Sequence, residues 1–192
     1  LAILHRQRKE IMLHLPMEPH NYKNNKPGKG VLLMQMDDQE LRAQLDADIK
    51  AVPYIQGVNN HMGSRFMEDN KKVALVLKKL KQEGFFFVDS RTTPNSKGEY
   101  EAKRIELPYA TRKIFMDNGA NYSETLNILM RILETGKQPD APPLVIIGHP
   151  HRSTMEALKK ALPQFKEKGI EIVSVSDILK TNLNEKISYR AK

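Results

Sequence analysis

Short apolar runs alternate with amphipathic stretches along nearly the whole chain, and this alternation constrains the fold more than any other feature of the sequence. Each run is followed by a polar loop and then by a stretch with apolar residues every three or four positions. Parallel strands can be joined only by long crossovers, usually helices, so a strand–loop–helix repeat indicates βαβ units. The sequence therefore predicts an α/β protein whose parallel sheet is covered by helices on both faces.

The boundaries of these elements follow from apolar spacing and from turn residues. The predicted strands are Ile11–Leu15, Tyr54–Val58, Phe85–Asp89, Lys113–Met116, Leu144–Ile147 and Ile170–Val175. The predicted helices are Asp37–Val52, Phe66–Glu83, Glu99–Glu106, Ser123–Glu134 and Ser153–Phe165. We expect a strand end at Pro16, a loop over His20–Gly30, N-caps at Ser123 and at Ser153 or Thr154, and a final turn over Asp177–Lys180.

Composition excludes several classes of protein. The chain has no cysteine, so disulfides and thiolate chemistry are ruled out. No apolar run is long enough to span a bilayer, and the polar stretch Leu1–Glu10 does not resemble a signal peptide. The formal charge is +8, but the lysines are spread over helix faces, which favours solvated surface over a nucleic-acid partner. A polyanion-binding protein remains one alternative function.

Polar side chains follow most of the predicted strands at the point where the strand ends. The carboxyl ends of parallel strands meet at one edge of a sheet, where ligands of such folds bind. We therefore expect one crevice to be lined by His14, Asn60, His61, Asp89 and His149. The wider set of candidates is His14, Glu18, Asn59, Asn60, His61, Ser64, Asp89, Arg112, Asp117 and His149.

Each candidate also has a structural interpretation. His14 fits a hydrogen-bonded core histidine equally well, and residues 59–64 have the composition of a simple turn. Asp89 and Asp117 can cap the helices that follow, and Arg112 can be an ordinary ion-pair partner. For His61 and His149 the position at a strand end favours a functional role.

Histidines together with carboxylates suit a borderline divalent metal such as zinc, which can activate a water molecule for hydrolysis. A nearby histidine can then protonate the leaving group. The sequence contains no Gly-x-Ser-x-Gly elbow, no Walker loop and no Gly-x-Gly-x-x-Gly turn. Serine hydrolase, NTPase and dinucleotide-enzyme chemistry are therefore disfavoured.

Five segments, in this order, resemble the divergent polysaccharide deacetylase family. They are His-Leu-Pro-Met-Glu-Pro at 14–19, Gly-Val-Asn-Asn-His-Met-Gly-Ser at 57–64, Phe-Val-Asp-Ser-Arg-Thr at 87–92, Arg-Lys-Ile-Phe-Met-Asp at 112–117 and Ile-Gly-His-Pro at 147–150. The Asn-Asn-His-Met-Gly-Ser string is the most specific of them, and together they span nearly the whole chain.

The resemblance implies a distorted (β/α) barrel of the deacetylase type, incomplete here, with its site at the carboxyl ends of the strands. It implies one domain over residues 1–192 that lacks the family's first strand or strands. That first strand ends in an Asp-Asp pair, and Asp37 with Asp38 is not its equivalent because it follows the His14 strand. We expect a chain without that strand to be less stable than an extended one, since a sheet edge is left open.

On this basis the sequence predicts a metal-dependent hydrolase that removes acetyl groups from a polysaccharide outside the cytoplasm. His14, His61 and Glu18 are the predicted metal ligands, with zinc the expected metal. His149 is the predicted general acid, Asp89, Arg112 and Asp117 orient or charge-balance the site, and Asn59, Asn60 and Ser64 contact substrate. The main alternative is a non-catalytic module that binds a carbohydrate or an anion in the same crevice.

Overall fold

Parallel strands joined by helices make up the first of two units into which the chain divides. The computed structural model describes residues 1–119, 121–136 and 142–180; the first unit is Leu1–Thr111, and the second begins at Arg112. The elements of the first unit are α1 (Ala2–Arg6), β1 (Met12–Met17), α2 (Asp38–Ala51), β2 (Gly57–Met62), a 3-10 turn (Phe66–Glu68), α3 (Asn70–Gln82), β3 (Phe86–Asp89), α4 (Gly98–Arg104) and β4 (Tyr109–Thr111). The strands pair in the order β1-β2-β3-β4, and every pair is parallel. The predicted α/β class is confirmed.

The core of the first unit contains residues from the sheet and from α2 and α3. Leu15, Leu41, Val58, Leu80 and Phe87 are fully buried in one cluster. Side chains along β1 alternate between buried and more exposed positions, and His14 lies on the exposed side. The prediction that both sheet faces are buried is therefore wrong for β1.

Local sequence explains where the first helices begin and end. The Asp37 side chain accepts hydrogen bonds from the backbone N–H groups of Gln39 and Glu40, and the Glu40 side chain accepts one from the Asp37 N–H, which forms a capping box for α2. Asp69 caps α3 with a single hydrogen bond, which its side chain accepts from the Lys72 backbone N–H. Gly84 follows α3 with a φ of +77°, a backbone conformation that favours glycine.

Two strand predictions need correction, and one strand was not predicted. β1 continues through Pro16, whose carbonyl accepts a hydrogen bond from the Leu32 backbone on the side away from β2. A proline is tolerated there because its missing N–H faces the edge of the sheet. β2 covers Gly57–Met62, so it starts and ends later than predicted, and the Phe86 ring packs so closely on Gly57 that an added side-chain carbon would lie 2.3 Å from it. β4 was not predicted at all, being only three residues long.

The second unit has a two-stranded parallel sheet and two long helices. Its elements are β5 (Ile114–Phe115), α5 (Tyr122–Gly136), β6 (Ile146–Ile147) and α6 (Arg152–Glu167). Apolar residues of both helices form its core, and they are Leu129, Ile132, Leu133, Ala157, Ala161 and Phe165. Residues 175–180 are also helical, where only a turn was expected.

Several predictions for the second unit are wrong in detail. The cap of α5 is Asn121, which accepts hydrogen bonds from Ser123 and Glu124, so Ser123 is not the cap. α6 begins after His151, which makes no side-chain cap. Residues 170–174 are not a strand: Ile172 is 63% exposed, and the strand ladders of the described residues do not include this segment. An apolar run becomes a strand only where a neighbour supplies hydrogen bonds.

Within the described ranges, the helices are all too short or too polar to cross a lipid bilayer.

Candidate functional site

His14 and His61 lie on neighbouring parallel strands, His14 in the first half of β1 and His61 near the carboxyl end of β2. In the register of β1 and β2, His14 is opposite Asn59 and His61 is opposite Pro16, so the two imidazoles project from the same face. Their ring centroids are 4.7 Å apart, with the ring planes inclined by 53°. His14 is exposed and His61 is half-buried, so a ligand can reach the pair.

Glu18 follows β1, and protein groups occupy both of its carboxylate oxygens. Oε1 accepts a hydrogen bond from Nη1 of Arg65 at 2.6 Å, and Oε2 accepts one from the backbone N–H of Met34 at 2.7 Å. The residue is only 6% exposed. These contacts favour an anchoring role, since they tie three loop segments together. Among the described residues Glu18 does not join His14 and His61 in a three-ligand group; its role as a ligand stays a prediction.

The two asparagines after the apolar part of β2 connect that strand to the segment after β3. Asn60 is fully buried; its Oδ1 accepts from the Ser90 backbone at 2.8 Å, and its Nδ2 donates to the Met62 carbonyl at 2.9 Å. Asn59 is half-buried and donates to the Ser90 hydroxyl at 3.1 Å. These amide contacts explain why residues that resemble a turn continue the strand. Asn59 remains accessible to a substrate, whereas Asn60 is committed to the protein.

Asp89 organises the loop after β3. Its Oδ1 accepts from the Arg91 backbone at 2.7 Å, and its Oδ2 accepts from the Ser96 hydroxyl at 2.6 Å. Asp89 is 1% exposed, and Gly98 packs so closely that an added side-chain carbon would lie 2.7 Å from Oδ2. Asp89 therefore shapes the loop from within, and any catalytic part remains a prediction.

A further contact in the first unit joins three loops and involves a histidine to which the sequence assigned no role. Nε2 of His20 lies 3.0 Å from Oε2 of Glu68, and Oε1 of Glu68 accepts from the Thr93 hydroxyl at 2.5 Å. The hydrogen bond from Thr93 is the main reason that the pKa of Glu68 is below its usual value. The Ser64 hydroxyl accepts from the His20 backbone at 3.1 Å. The predicted substrate contact Ser64 thus also anchors the loop after β1.

The second unit holds a histidine against a buried carboxylate. Nδ1 of His149 lies 3.0 Å from Oδ1 of Asp117, whose side chain is 0% exposed, while the His149 side chain is 48% exposed. Oδ2 of Asp117 accepts from the His149 backbone N–H and from the Thr154 hydroxyl, the latter at 2.9 Å. Burial raises the pKa of Asp117, but these hydrogen bonds outweigh it and leave the pKa below its usual value.

An ionised Asp117 can only accept hydrogen bonds, so Nδ1 of His149 carries the proton. This contact fixes the tautomer of the ring and leaves Nε2 with its lone pair. The pair can therefore accept a proton at Nε2 and later release it.

Aromatic and cationic groups flank this pair. The Phe115 ring stacks on His149 with centroids 5.9 Å apart and an interplanar angle of 15°. The guanidinium carbon of Arg112 lies 3.9 Å from the centroid of the Phe115 ring. Arg112 is thus placed next to the ring that supports His149, which fits its predicted orienting role.

His151 is the residue that sequence reasoning missed. Asp117, His149 and His151 form a group whose potential ligand atoms all lie within 4.8 Å of one another. The available signal was the His-Pro-His spacing, which keeps two imidazoles close without a helix. Four residues of the predicted crevice belong to the first unit and His149 to the second. Their convergence stays a prediction.

The chain is similar to proteins of several bacteria. The protein YibQ of Escherichia coli strain K12, described as uncharacterized, is 26% identical over 175 residues, which are 91% of this chain and 53% of that protein. An uncharacterized protein of Haemophilus influenzae strain Rd is 25% identical over 181 residues, covering 94% of this chain and 62% of its own length. The chain thus spans little more than half the length of these curated relatives.

A solved structure shows the same fold. The crystal structure of the uncharacterized protein ATU2773 from Agrobacterium tumefaciens C58 has a TM-score of 0.80 to this chain and 24% sequence identity, covering 91% of this chain and 70% of that one. The family model described as divergent polysaccharide deacetylase matches residues 1–179, which extend over both units. The resemblance noted from the five motifs is confirmed: the chain belongs to the divergent polysaccharide deacetylase family.

Proposed function

We propose that this protein is a metal-dependent hydrolase that removes acetyl groups from a polysaccharide located outside the cytoplasm. The observation that carries the proposal is the contact between Asp117 and His149, 3.0 Å from Oδ1 to Nδ1, in a chain of this family. A buried carboxylate that fixes one imidazole nitrogen and leaves the rest of the ring half-exposed is the arrangement of a general acid–base pair.

His14 and His61 are the residues that would hold the metal. Two nitrogen ligands of one zinc ion lie about 3.3 Å apart at bond lengths of roughly 2.0–2.1 Å, which imidazoles with nearby centroids can satisfy. The centroid separation of 4.7 Å and the shared face of the two side chains fit this requirement. When bound, a divalent metal would polarise the acetyl carbonyl and lower the pKa of a bound water.

His149 is the residue that would transfer the proton. Departure of the sugar amine or hydroxyl requires a proton, and the imidazolium of His149 would donate it from Nε2. Asp117 would stabilise that imidazolium and hold the ring in place, because its carboxylate is itself fixed by Thr154 and by the His149 backbone. Phe115 would restrict rotation of the ring by stacking on it.

Acetate release from an acetylated glycan, in the presence of zinc and after chelation, tests the proposal. We expect release that depends on metal and falls by about 10²–10⁴-fold in His149→Ala, as is typical for loss of a general acid. His5→Ala is the matched control, since His5 stacks on Tyr54 in the first unit and has no part in the mechanism. Glycan binding without any acetate release would overturn the proposal and favour the carbohydrate-binding module.

A further inference from the structure

Asp117, His149 and His151 form the one three-residue group of potential metal ligands found in residues 1–119, 121–136 and 142–180. We propose that this group is a second divalent-metal site, additional to His14 and His61, and that zinc bound there inhibits the protein. The inhibitory consequence rests on the proposed function, because it requires His149 to transfer a proton. The binding itself does not depend on that function.

The donor set fits zinc. Two imidazoles and one carboxylate form a ligand combination that zinc uses in hydrolases, with the fourth position left to water. Nδ1 of His149 and Oδ1 of Asp117 are 3.0 Å apart, close to the roughly 3.3 Å that separates two ligand atoms on a tetrahedral zinc ion. The His151 ring has its centroid 5.6 Å from that of His149, so a modest rotation brings a third nitrogen to the ion.

The backbone holds these side chains close together before any metal arrives. The His151 N–H donates to the His149 carbonyl at 2.8 Å, a bond between residues two apart that makes a tight turn centred on Pro150. The ring of Pro150 fixes its own φ and restricts His149 to extended conformations. Asp117 is anchored by the Thr154 hydroxyl at 2.9 Å. Little conformational freedom is therefore lost on binding.

The charges around the group set its strength. The buried carboxylate of Asp117 supplies a full negative charge, whereas the amino end of α6, which begins at Arg152, contributes about half a positive charge that opposes a cation. The carboxylate outweighs the helix end, but not entirely. Inhibition only by excess zinc requires this site to bind zinc more weakly than the proposed first site, and the partial positive charge of the helix end lowers its affinity in that direction.

Occupation of the group would remove His149 from proton transfer. A metal at Nδ1 displaces the proton shared with Asp117, so the carboxylate no longer stabilises an imidazolium. A metal at Nε2 blocks the donating nitrogen directly. Either coordination gives the same outcome, which is inhibition by excess zinc.

Titration with Zn²⁺ and Co²⁺ tests the binding, with heat and the visible absorption of bound Co²⁺ as readouts. The parent for this titration is the full chain carrying His14→Ala and His61→Ala, in which only the proposed second site remains. His151→Asn in that background should weaken binding by more than about 100-fold, because loss even of a residue supporting a ligand costs roughly 10–100-fold. Asparagine is a good N-cap, so α6 keeps its start.

Two results would overturn the second site: equal affinity of the His151→Asn variant and its parent, or an equal loss in a His5→Ala control. If the parent does not unfold cooperatively in urea, the titration is done on the wild-type chain. His151→Asn in that chain should remove the weaker of its two bound equivalents of zinc. Retention of both equivalents would also overturn the site.

Inhibition is measured separately. For each protein, acetate release with excess zinc is divided by acetate release of the same protein with one equivalent of zinc. The ratio should be well below one for the wild-type chain and close to one for His151→Asn. Equal ratios would overturn the inhibitory role. If no variant releases acetate, the proposed function has failed, while the titration still decides whether the metal site exists.

Discussion

The histidines on or next to the strands lie beside different partners in the two units. In the first unit His14 lies against another imidazole, that of His61, with centroids 4.7 Å apart. In the second unit His149 lies against a carboxylate that is fully buried. An imidazole nitrogen without a proton offers its lone pair to a cation, whereas a carboxylate beside the ring accepts its N–H and fixes the tautomer. The partner beside each histidine therefore supports the proposed metal binding in the first unit and the proposed proton transfer in the second.

One acidic side chain of each unit also differs in its hydrogen-bond partners and in the direction of its pKa shift. Asp117 receives hydrogen bonds on both oxygens from His149 and Thr154, which keep it ionised. Asp48 in α2 receives one from Gln44, and its Oδ2 has no hydrogen-bond partner among the described residues. Burial therefore outweighs the single hydrogen bond of Asp48 and raises its pKa, whereas the several hydrogen bonds of Asp117 outweigh burial and lower its pKa.

The largest effect that would separate the two centres is expected from Asp117→Asn. An asparagine can present its amide N–H to Nδ1 of His149 and so favour the wrong tautomer of the ring. We predict that acetate release falls by about 10²–10⁴-fold while the zinc held by the first unit stays. The control is Glu156→Gln, which removes an exposed partner of Arg152 on α6. Unchanged release in Asp117→Asn would show that the pair is only structural.

Glu18→Gln is expected to have a smaller effect, on stability. The substitution weakens two hydrogen bonds of a buried carboxylate, to Arg65 and to the Met34 backbone, and should lower the free energy of unfolding by about 1–3 kcal/mol. Urea midpoints measure this loss. Glu99→Gln, which removes an exposed partner of Lys103, should change stability by less than about 0.5 kcal/mol.

Zinc content of the same Glu18 variant decides between its two roles. An anchoring glutamate leaves the metal bound once the protein is folded, whereas a ligand does not. Metal loss in a Glu18→Gln protein that still unfolds cooperatively would restore Glu18 as a ligand beside His14 and His61.

The smallest effect is expected from Asp48→Asn, and it depends on pH. Burial raises the pKa of Asp48 from 3.8 to about 6 and outweighs the hydrogen bond from Gln44. The folded state therefore binds this proton more tightly than the unfolded state, and stability falls as pH rises from about 4 to about 6. Asp48→Asn removes this dependence, so its urea midpoint should exceed that of the wild type most clearly above pH 6. A constant difference from pH 4 to pH 8 would contradict the shift.

Apolar periodicity predicted most of the first unit, because its helices and strands bury regular stripes in one core. It failed where burial is irregular. β2 runs through Asn59, Asn60 and His61 because side-chain amides find partners on the next loop, a tertiary effect that spacing does not reveal. The segment 170–174 is as apolar as a strand, but pairing depends on neighbours that a local pattern does not contain.

The candidate site shows the same division. Placement after apolar runs identified His14, His61, Asp117 and His149 as histidines and acids worth testing, since strand ends are where parallel sheets bind ligands. The partners of Glu18 and Asp89 are backbone groups and side chains of other loop segments, so a local sequence pattern could not predict these anchoring contacts. His151 was missed because its proximity to Asp117 depends on how β5 and α6 meet.

The most direct test of the central claim compares zinc content and acetate release in His61→Ala and His149→Ala. The wild-type chain is first dialysed until it keeps one equivalent of zinc, so that only the tighter site is read. If His61 binds the metal and His149 transfers the proton, His61→Ala should lose both the metal and acetate release. His149→Ala should keep the metal, and its rate of acetate release should fall by about 10²–10⁴-fold. Equal zinc content in the two variants, whether both lose the metal or both retain it, would contradict the assignment of metal binding to His61 and proton transfer to His149.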